Sequence, residues 1–255
     1  MTDLKLTIVQ SNLYWEDKKA NLNQFTDKLS SITESTDLII LPEMFTTGFS
    51  MNATALAETM EGETVNWMKL HAAKKGCAIT GSFICEENGK YFNRLVWVDE
   101  HGSCYSYDKR HLFSMAAEHE HYSNGNTKLM VTLKGWNICP LICYDLRFPV
   151  WSRNTKENPY DLLIYVANWP ERRQHPWKTL LLARAIENQA YVVGLNRVGT
   201  DVHQVIYSGD SAVINYKGEV MSTTPPHVES IETLTLSYAN LKDFRKEFPV
   251  LNDAD

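Results

Sequence analysis

Apolar residues recur along the chain with two periods, and the switches between them predict the elements. Leu4, Leu6 and Ile8 alternate with other residues, the period of a half-buried strand. Leu22, Phe25, Leu29 and Ile32 then fall at helical spacing, which predicts a first helix over about residues 19–32. Asp37 opens a continuous apolar run, Leu38-Ile39-Ile40-Leu41, that stops at Pro42. An uninterrupted run of that length fits a strand covered on both faces. A helix over about 63–75 ends in Lys74-Lys75-Gly76, with cations near its C-terminus and a glycine suited to a left-handed cap.

Residues 77–85 and 91–99 read as paired strands around Asn88-Gly89, a strong hairpin signal. A third strand follows His101-Gly102 and ends near Lys109. Lys128–Leu133 and Asn137–Ile142 flank Lys134-Gly135, which predicts a second hairpin. A short helix is expected from about Phe148-Pro149, with the proline in its first turn. Leu162–Ala167 reads as a buried strand, Gln174–Gln189 as a helix and Tyr191–Asn196 as the next strand. Val205–Tyr207, Ser211–Asn215 and Glu219–Ser222 read as a meander, and Leu241–Phe248 as a short helix before a tail. Many strands with a few helices between them predict an α/β chain whose sheet is covered by helices. Periodicity does not separate two sheets packed face to face from one long mixed sheet. No linker, repeat or low-complexity tract divides the sequence, so residues 1–255 are expected to form one domain.

Composition narrows the classes. At 255 residues and 44% hydrophobic content the chain can bury one large core. Lys and Arg number 25 against 31 Asp and Glu, a net charge of −6 that gives no global attraction to nucleic acid or anionic lipid. The basic groups are short: Lys109-Arg110-His111, and Arg172-Arg173, which reads as a solvated face. No segment approaches ~18 consecutive apolar residues, so no membrane span is expected. The N-terminus reads as a strand rather than a secretory signal, and a cytoplasmic location is expected. Five cysteines in a long chain without a signal read as reduced thiols rather than a disulfide framework.

Three sites follow apolar strands directly, where a rigid scaffold presents polar groups to a cleft. Glu43 lies one residue past Pro42 among Leu41, Met44 and Phe45. It is either a desolvated carboxylate suited to acid–base work or a surface-loop glutamate. Lys109 follows a strand with few charges and is either a fixed ammonium able to stabilise an oxyanion or a solvated lysine. Cys143 ends the run Pro140-Leu141-Ile142 and precedes a turn into a helix. It is either a nucleophile held on a strand-to-helix turn or a buried core thiol. Together they supply a base, a cation and a thiol, the parts that thioester chemistry on an amide or nitrile carbon needs.

The strings Leu41-Pro42-Glu43-Met44-Phe45, Asp108-Lys109-Arg110-His111-Leu112-Phe113 and Ile142-Cys143-Tyr144-Asp145-Leu146-Arg147-Phe148-Pro149 lie in this order, with their Glu, Lys and Cys 66 and 34 residues apart. In this they resemble the nitrilase superfamily, the carbon–nitrogen hydrolases. The resemblance extends over nearly the whole chain, through Asn168-Trp169-Pro170, Leu182–Asn188, Asn196-Arg197-Val198-Gly199 and Gly209-Asp210-Ser211. It implies a four-layer α-β-β-α sandwich. It implies Glu43 as general base, Lys109 as oxyanion stabiliser, Cys143 as nucleophile and the Tyr144 backbone N–H as a second oxyanion donor. A second family glutamate falls on Glu118 or Glu120, ahead of Gly125, and spacing to that glycine favours Glu118. His111, His119 and His121 with Glu118 and Glu120 offer metal-ligand types, but without a Cys-x-x-Cys or His-Glu-x-x-His spacing no metal is expected. No cofactor is implied.

Arg147, four residues after Cys143, resembles the branch that contains ω-amidases, which act on amides of 2-oxo dicarboxylic acids. An arginine beside the thiol is able to pair bidentately with a substrate carboxylate, or else forms an internal ion pair. Phe45, Tyr122 and Trp169, with Phe113, are candidate pocket-lining aromatics, or core. The expected activity is hydrolysis of a small linear amide to acid and ammonia. A nitrilase, an N-carbamoyl amidase, a transferase and a non-enzymatic binding module on the same scaffold stay open. The resemblance also implies a homo-oligomer, a dimer in the first instance, with residues 241–255 as a candidate interface.

Overall fold

The computed structural model describes residues 2–253. Six strands form one sheet: β1 (Leu4–Gln10), β2 (Leu38–Ile40), β3 (Ala78–Glu87), β4 (Lys90–Val98), β5 (Cys104–Asp108) and, from the far end of the chain, β13 (Ser230–Leu236). Their order is β13-β1-β2-β3-β4-β5. Five form a second sheet: β6 (Val131–Leu133), β7 (Trp136–Ile142), β8 (Leu162–Ala167), β9 (Tyr191–Asn196) and β12 (Ala212–Ile214), in the order β12-β9-β8-β7-β6. Each sheet has a parallel centre, β1-β2-β3 in one and β7-β8-β9 in the other, flanked by antiparallel strands. A separate ribbon pairs β10 (Val198–Thr200) with β11 (Ile206–Ser208). The helices are α1 (Lys18–Ser31), α2 (Ala53–Leu56), α3 (Glu63–Lys75), α4 (Glu118–His121), α5 (Pro149–Ser152), α6 (Gln174–Asn188) and α7 (Tyr238–Glu247).

Side-chain alternation on the central strands makes the layers. Leu38 and Ile40 of β2 join Leu4, Leu6 and Ile8 in a cluster that includes Ile138, Leu141 and Ile142 of the second sheet. Ile39 and Leu41 point the other way, into a cluster with Leu22, Phe25 and Leu29 of α1 and Val65, Met68 and Ala72 of α3. On the far side, Trp177, Leu181 and Ala185 of α6 cover the second sheet. The result is a four-layer α-β-β-α sandwich, with strands buried on both faces as their continuous apolar runs require.

Local signals act where the sequence carries them. The Asp17 side chain accepts from Ala20 N at 2.9 Å and caps α1, while Gly76 at φ +63° ends α3. Asn88 and Gly89 both take positive φ, and Glu87 pairs Lys90 across a two-residue turn. Lys134 and Gly135 do the same for β6 and β7.

The structure corrects three expectations. β13 is an unforeseen strand that runs antiparallel to β1, from Leu4↔Leu236 to Gln10↔Ser230. The expected meander is split: β11 turns back on β10, β12 joins β9, and residues 219–222 make a single bridge, Ile214↔Val220. Gly209 at φ +76° makes that change of direction, and a Cβ there would stand 2.3 Å from Gln10 Oε1. The helix expected at Phe148-Pro149 exists as α5, but a 310 turn over Cys143–Arg147 precedes it. Within the described part of 241–255, Leu241 is buried and Arg245 bonds Asp161, Gln189 O and Tyr160 O, while Phe248 is exposed. Residues 254 and 255 of that segment lie outside the described residues.

Candidate active site

Glu43, Lys109 and Glu118 meet with their side chains fully buried. Lys109 Nζ donates to Glu43 Oε1 at 2.9 Å and to both oxygens of Glu118, at 2.9 and 3.0 Å. Glu120, the other candidate, is exposed. Three elements deliver these groups: the turn after β2, the end of β5 and α4. The turn at Glu43 is held by its surroundings, since the next residue, Met44, sits at φ +43° and its N–H donates to Ser82 Oγ at 2.9 Å. Ser82 in turn bonds Asn93 Oδ1, and Asn93 Nδ2 donates to Glu43 Oε1 at 2.8 Å. The other carboxylate oxygen receives the backbone N–H of Asn168 at 2.7 Å, from the second sheet. Asn168 Nδ2 also binds the Glu43 carbonyl at 2.6 Å. One glutamate is thus clamped between the two sheets.

Cys143 opens the turn after β7 at φ +42°, a left-handed conformation that a β-carbon makes costly. Its thiol lies 4.0 Å from Asn168 O and feels the Glu43 carboxylate, which raises it. The Tyr144 N–H is in the first turn of the 310 segment, where leading amides have no intrahelical acceptor. Asp145, fully buried, fixes the turn from below. Its carboxylate accepts from Ile142 N at 3.1 Å, the Tyr107 hydroxyl at 2.7 Å and His111 N at 3.0 Å. His111 Nδ1 lies 2.8 Å from the same carboxylate, and its ring stacks on Phe148 at 3.7 Å between centroids.

The electrostatics follow from burial and from two carboxylates sharing one cation. Burial pushes the Cys143 thiol well above its usual value, the Glu43 carboxylate adds to this, and Lys109 only partly opposes it. Burial works against the Lys109 ammonium, but Glu118 and Glu43 overcome it and hold the lysine above the ordinary range. Burial also raises Glu118, against the pull of Lys109. At neutral pH the resting arrangement is therefore a protonated thiol beside a charged lysine.

The thiol opens onto a cavity of about 730 Å³. Lys109, Cys143, Tyr144, Arg147, Trp169 and Phe113 are all on its wall. Phe45 and Tyr122 are not. Phe45 points into the core between the first sheet and its helices, 5.4 Å from Phe25 and 5.8 Å from Trp67. Tyr122 packs with Met44, Ala53 and Ile84, its hydroxyl on the Ser50 carbonyl. Aromatic character alone says nothing about the side of the backbone a ring occupies. Arg147 has no carboxylate within ion-pair distance among the described residues; its guanidinium lies 5.1 Å over the Trp169 ring. Of the pair Arg172-Arg173, Arg172 is exposed as expected, but both line the cavity and Arg173 is half-buried. Asn93, Asp145 and Arg173 were not read as site residues. Asp145 alone left a local signal, as an acid two residues after the thiol.

A carbon-nitrogen hydrolase family model matches residues 5–246. The omega-amidase YafV of Escherichia coli (strain K12) is 49% identical over 255 residues, which cover 100% of this chain and 98% of that protein. The 2-oxoglutaramate amidase of Bacillus subtilis (strain 168) is 30% identical over 251 residues, 97% of this chain and 96% of that one. The solved structure of XC1258 from Xanthomonas campestris, a CN-hydrolase superfamily protein with an arsenic adduct in the active site, matches with a TM-score of 0.96. It is 45% identical and covers 100% of this chain and 98% of its own.

Proposed function

The chain belongs to the carbon–nitrogen hydrolase family, and from that membership we propose an ω-amidase that hydrolyses the terminal amide of small 2-oxo dicarboxylic acid monoamides, such as 2-oxoglutaramate. The supporting observation is a thiol and a buried ammonium on one cavity, with the Glu43 carboxylate bonded to that ammonium and, on the wall, an arginine that has no carboxylate partner among the described residues. The two amidases similar in sequence support the substrate class.

In this reading Glu43 takes the thiol proton as Cys143 Sγ attacks the amide carbon. The raised thiol makes this base necessary, since little thiolate pre-exists. Lys109 Nζ and the Tyr144 N–H stabilise the oxyanion. Collapse breaks the C–N bond, and the proton held by Glu43 goes to the departing ammonia. Water then gives its proton to Glu43 and attacks the thioester. The acid leaves, and the proton returns to sulfur. Glu118 holds Lys109 through both of its oxygens, which keeps the ammonium aimed as the charge on Glu43 changes. Arg147, seated on Trp169, receives the substrate carboxylate. We further infer a cytoplasmic homodimer. The five free cysteines support the compartment, and light scattering tests the assembly.

The test is ammonia release from 2-oxoglutaramate, with glutamine, succinamate and a simple nitrile alongside, by wild type and Cys143→Ala. Release from the 2-oxo amide that disappears in the variant is the expected result. Turnover near wild type in Cys143→Ala would remove the nucleophile assignment, and activity confined to the nitrile would remove the amidase reading.

A further inference from the structure

We propose that Arg173 is a specificity-determining residue that donates to the 2-oxo oxygen of the substrate and turns away the corresponding 2-ammonium compound. The inference rests on the amidase reading above and names the group that separates two amides of equal length.

The wall of the cavity carries three arginines, and a single indole registers two of them, Arg147 and Arg173. Trp169 seats Arg147 on its ring face at 5.1 Å. Its Nε1 donates to the Arg173 carbonyl at 2.7 Å, fixing the turn that delivers the second arginine. The Arg173 guanidinium lies 5.0 Å over the Phe113 ring. Among the described residues neither guanidinium has an ion pair or a hydrogen bond to another side chain. Burial and the nearby Arg172 and Arg147 all disfavour the charge on Arg173, so the wall holds like charges in need of an acceptor. Arg173 also stands at the N-terminus of the fifteen-residue helix α6, whose first turn holds no acid, and the positive end of that helix adds to the field.

The acids on the same wall are already engaged. Asp201 accepts from the His203 and Val205 amides and from the Tyr207 hydroxyl. Glu16 accepts from Ser50 and Asn52. An ammonium entering beside Arg147 and Arg173 therefore meets cations first, while the carboxylates of the wall already hold neutral donors. A 2-oxo acid instead presents three acceptor oxygens in near-planar array. One guanidinium takes the carboxylate as a fork, and the other is left to the adjacent carbonyl oxygen. The chemical class that suits two neighbouring unpaired arginines is thus a 2-oxo carboxylate.

The experiment compares kcat/KM of wild type and Arg173→Gln on 2-oxoglutaramate, glutaramate and glutamine, which share length, amide and carboxylate and differ at one carbon. Loss of a charge-assisted donor to the oxo group should lower the 2-oxo rate by about 10- to 100-fold more than it lowers the glutaramate rate. The preference for 2-oxoglutaramate over the other two then collapses. An equal loss on all three, or an unchanged preference, would overturn the proposal. A second readout does not need turnover: alkylation of Cys143 by iodoacetamide in the presence of 2-oxoglutarate or glutarate. Better protection by 2-oxoglutarate in wild type, equalised in Arg173→Gln and partly restored in Arg173→Lys, supports it. Equal protection in wild type overturns it. A wild type silent on every amide removes the amidase reading, while this protection ratio still decides the ligand class.

Discussion

Tyr107 and Asp145 sit 38 residues apart in sequence and 2.7 Å apart in space, the phenol hydroxyl donating to the carboxylate. The first ends two residues before Lys109 and the second lies two residues after Cys143, so this one bond sets the ammonium and the thiol in register. Ile142 N and His111 N donate to the same carboxylate. Asp145→Asn exchanges an acceptor for a donor among these donors. The expected cost is about 1–3 kcal/mol in urea unfolding, with kcat falling more than KM rises. Tyr107→Phe, which removes one donor, should cost about 1 kcal/mol.

Lys109 is the shared counter-ion of Glu43 and Glu118, all three with fully buried side chains. Lys109→Met leaves two carboxylates facing each other without a cation. Stability should fall by about 3–5 kcal/mol, and one carboxyl should retain a proton at neutral pH. Pairing the substitution with Glu118→Gln should recover part of the stability without recovering turnover. Chemical unfolding of the single and double variants measures both effects, and additive losses would contradict the shared-charge account.

The Cys143 thiol is raised by burial first and by Glu43 second. Its ionisation therefore lies above the ordinary value of 9.0, and no thiolate step belongs in the rate profile below that pH. kcat/KM should show no rising limb between about pH 7 and 9, and thiolate absorbance in that range should not differ between wild type and Cys143→Ala. For stability the sign comes from Lys109. Its folded value exceeds the ordinary 10.5, so its contribution is fully present below the ordinary lysine range and is lost as pH rises through the higher folded value.

Gly125 lies against the strand end that carries the lysine. A Cβ there would stand 2.3 Å from the Asp108 carbonyl, and Gly125 N donates to the Lys109 carbonyl at 3.0 Å. Because the obstacle is backbone, Gly125→Ala has to move the Lys109 segment. The expected result is a loss of about 1–3 kcal/mol together with a lower kcat. Unchanged kcat in a folded variant would separate this contact from the alignment of Lys109.

Much of the scaffold was written in local pattern. Leu38–Leu41 and Leu162–Ala167 read as buried strands because nothing polar interrupts them, and Asn88-Gly89 and Lys134-Gly135 read as turns because positive φ suits them. Glu43, Lys109 and Cys143 drew attention because each is the first polar group after such a run. What local pattern lacks is the direction of side chains off irregular backbone. Phe45 turns into the core while Trp169, also just past a strand, turns to the cavity, and nothing in either neighbourhood distinguishes them. Arg172-Arg173 looks like any charged surface pair until the turn before α6 aims one of them inward. β13 carries some alternation in Leu234 and Leu236, but its partner lies at the opposite end of the chain, beyond the range of any periodicity.

That pairing has a consequence for synthesis. β1 is made before the other strands described, yet Leu4 finds Leu236 only after more than two hundred further residues have been added. At roughly 5–20 residues per second β1 waits about 10–45 s with the edge that faces β13 unpaired. Asn168, which donates to Glu43 from 125 positions downstream, also arrives late. The clamp on Glu43 is therefore incomplete until residue 168 has been made, and one face of the nascent first sheet relies for cover on the docking of α1 and α3.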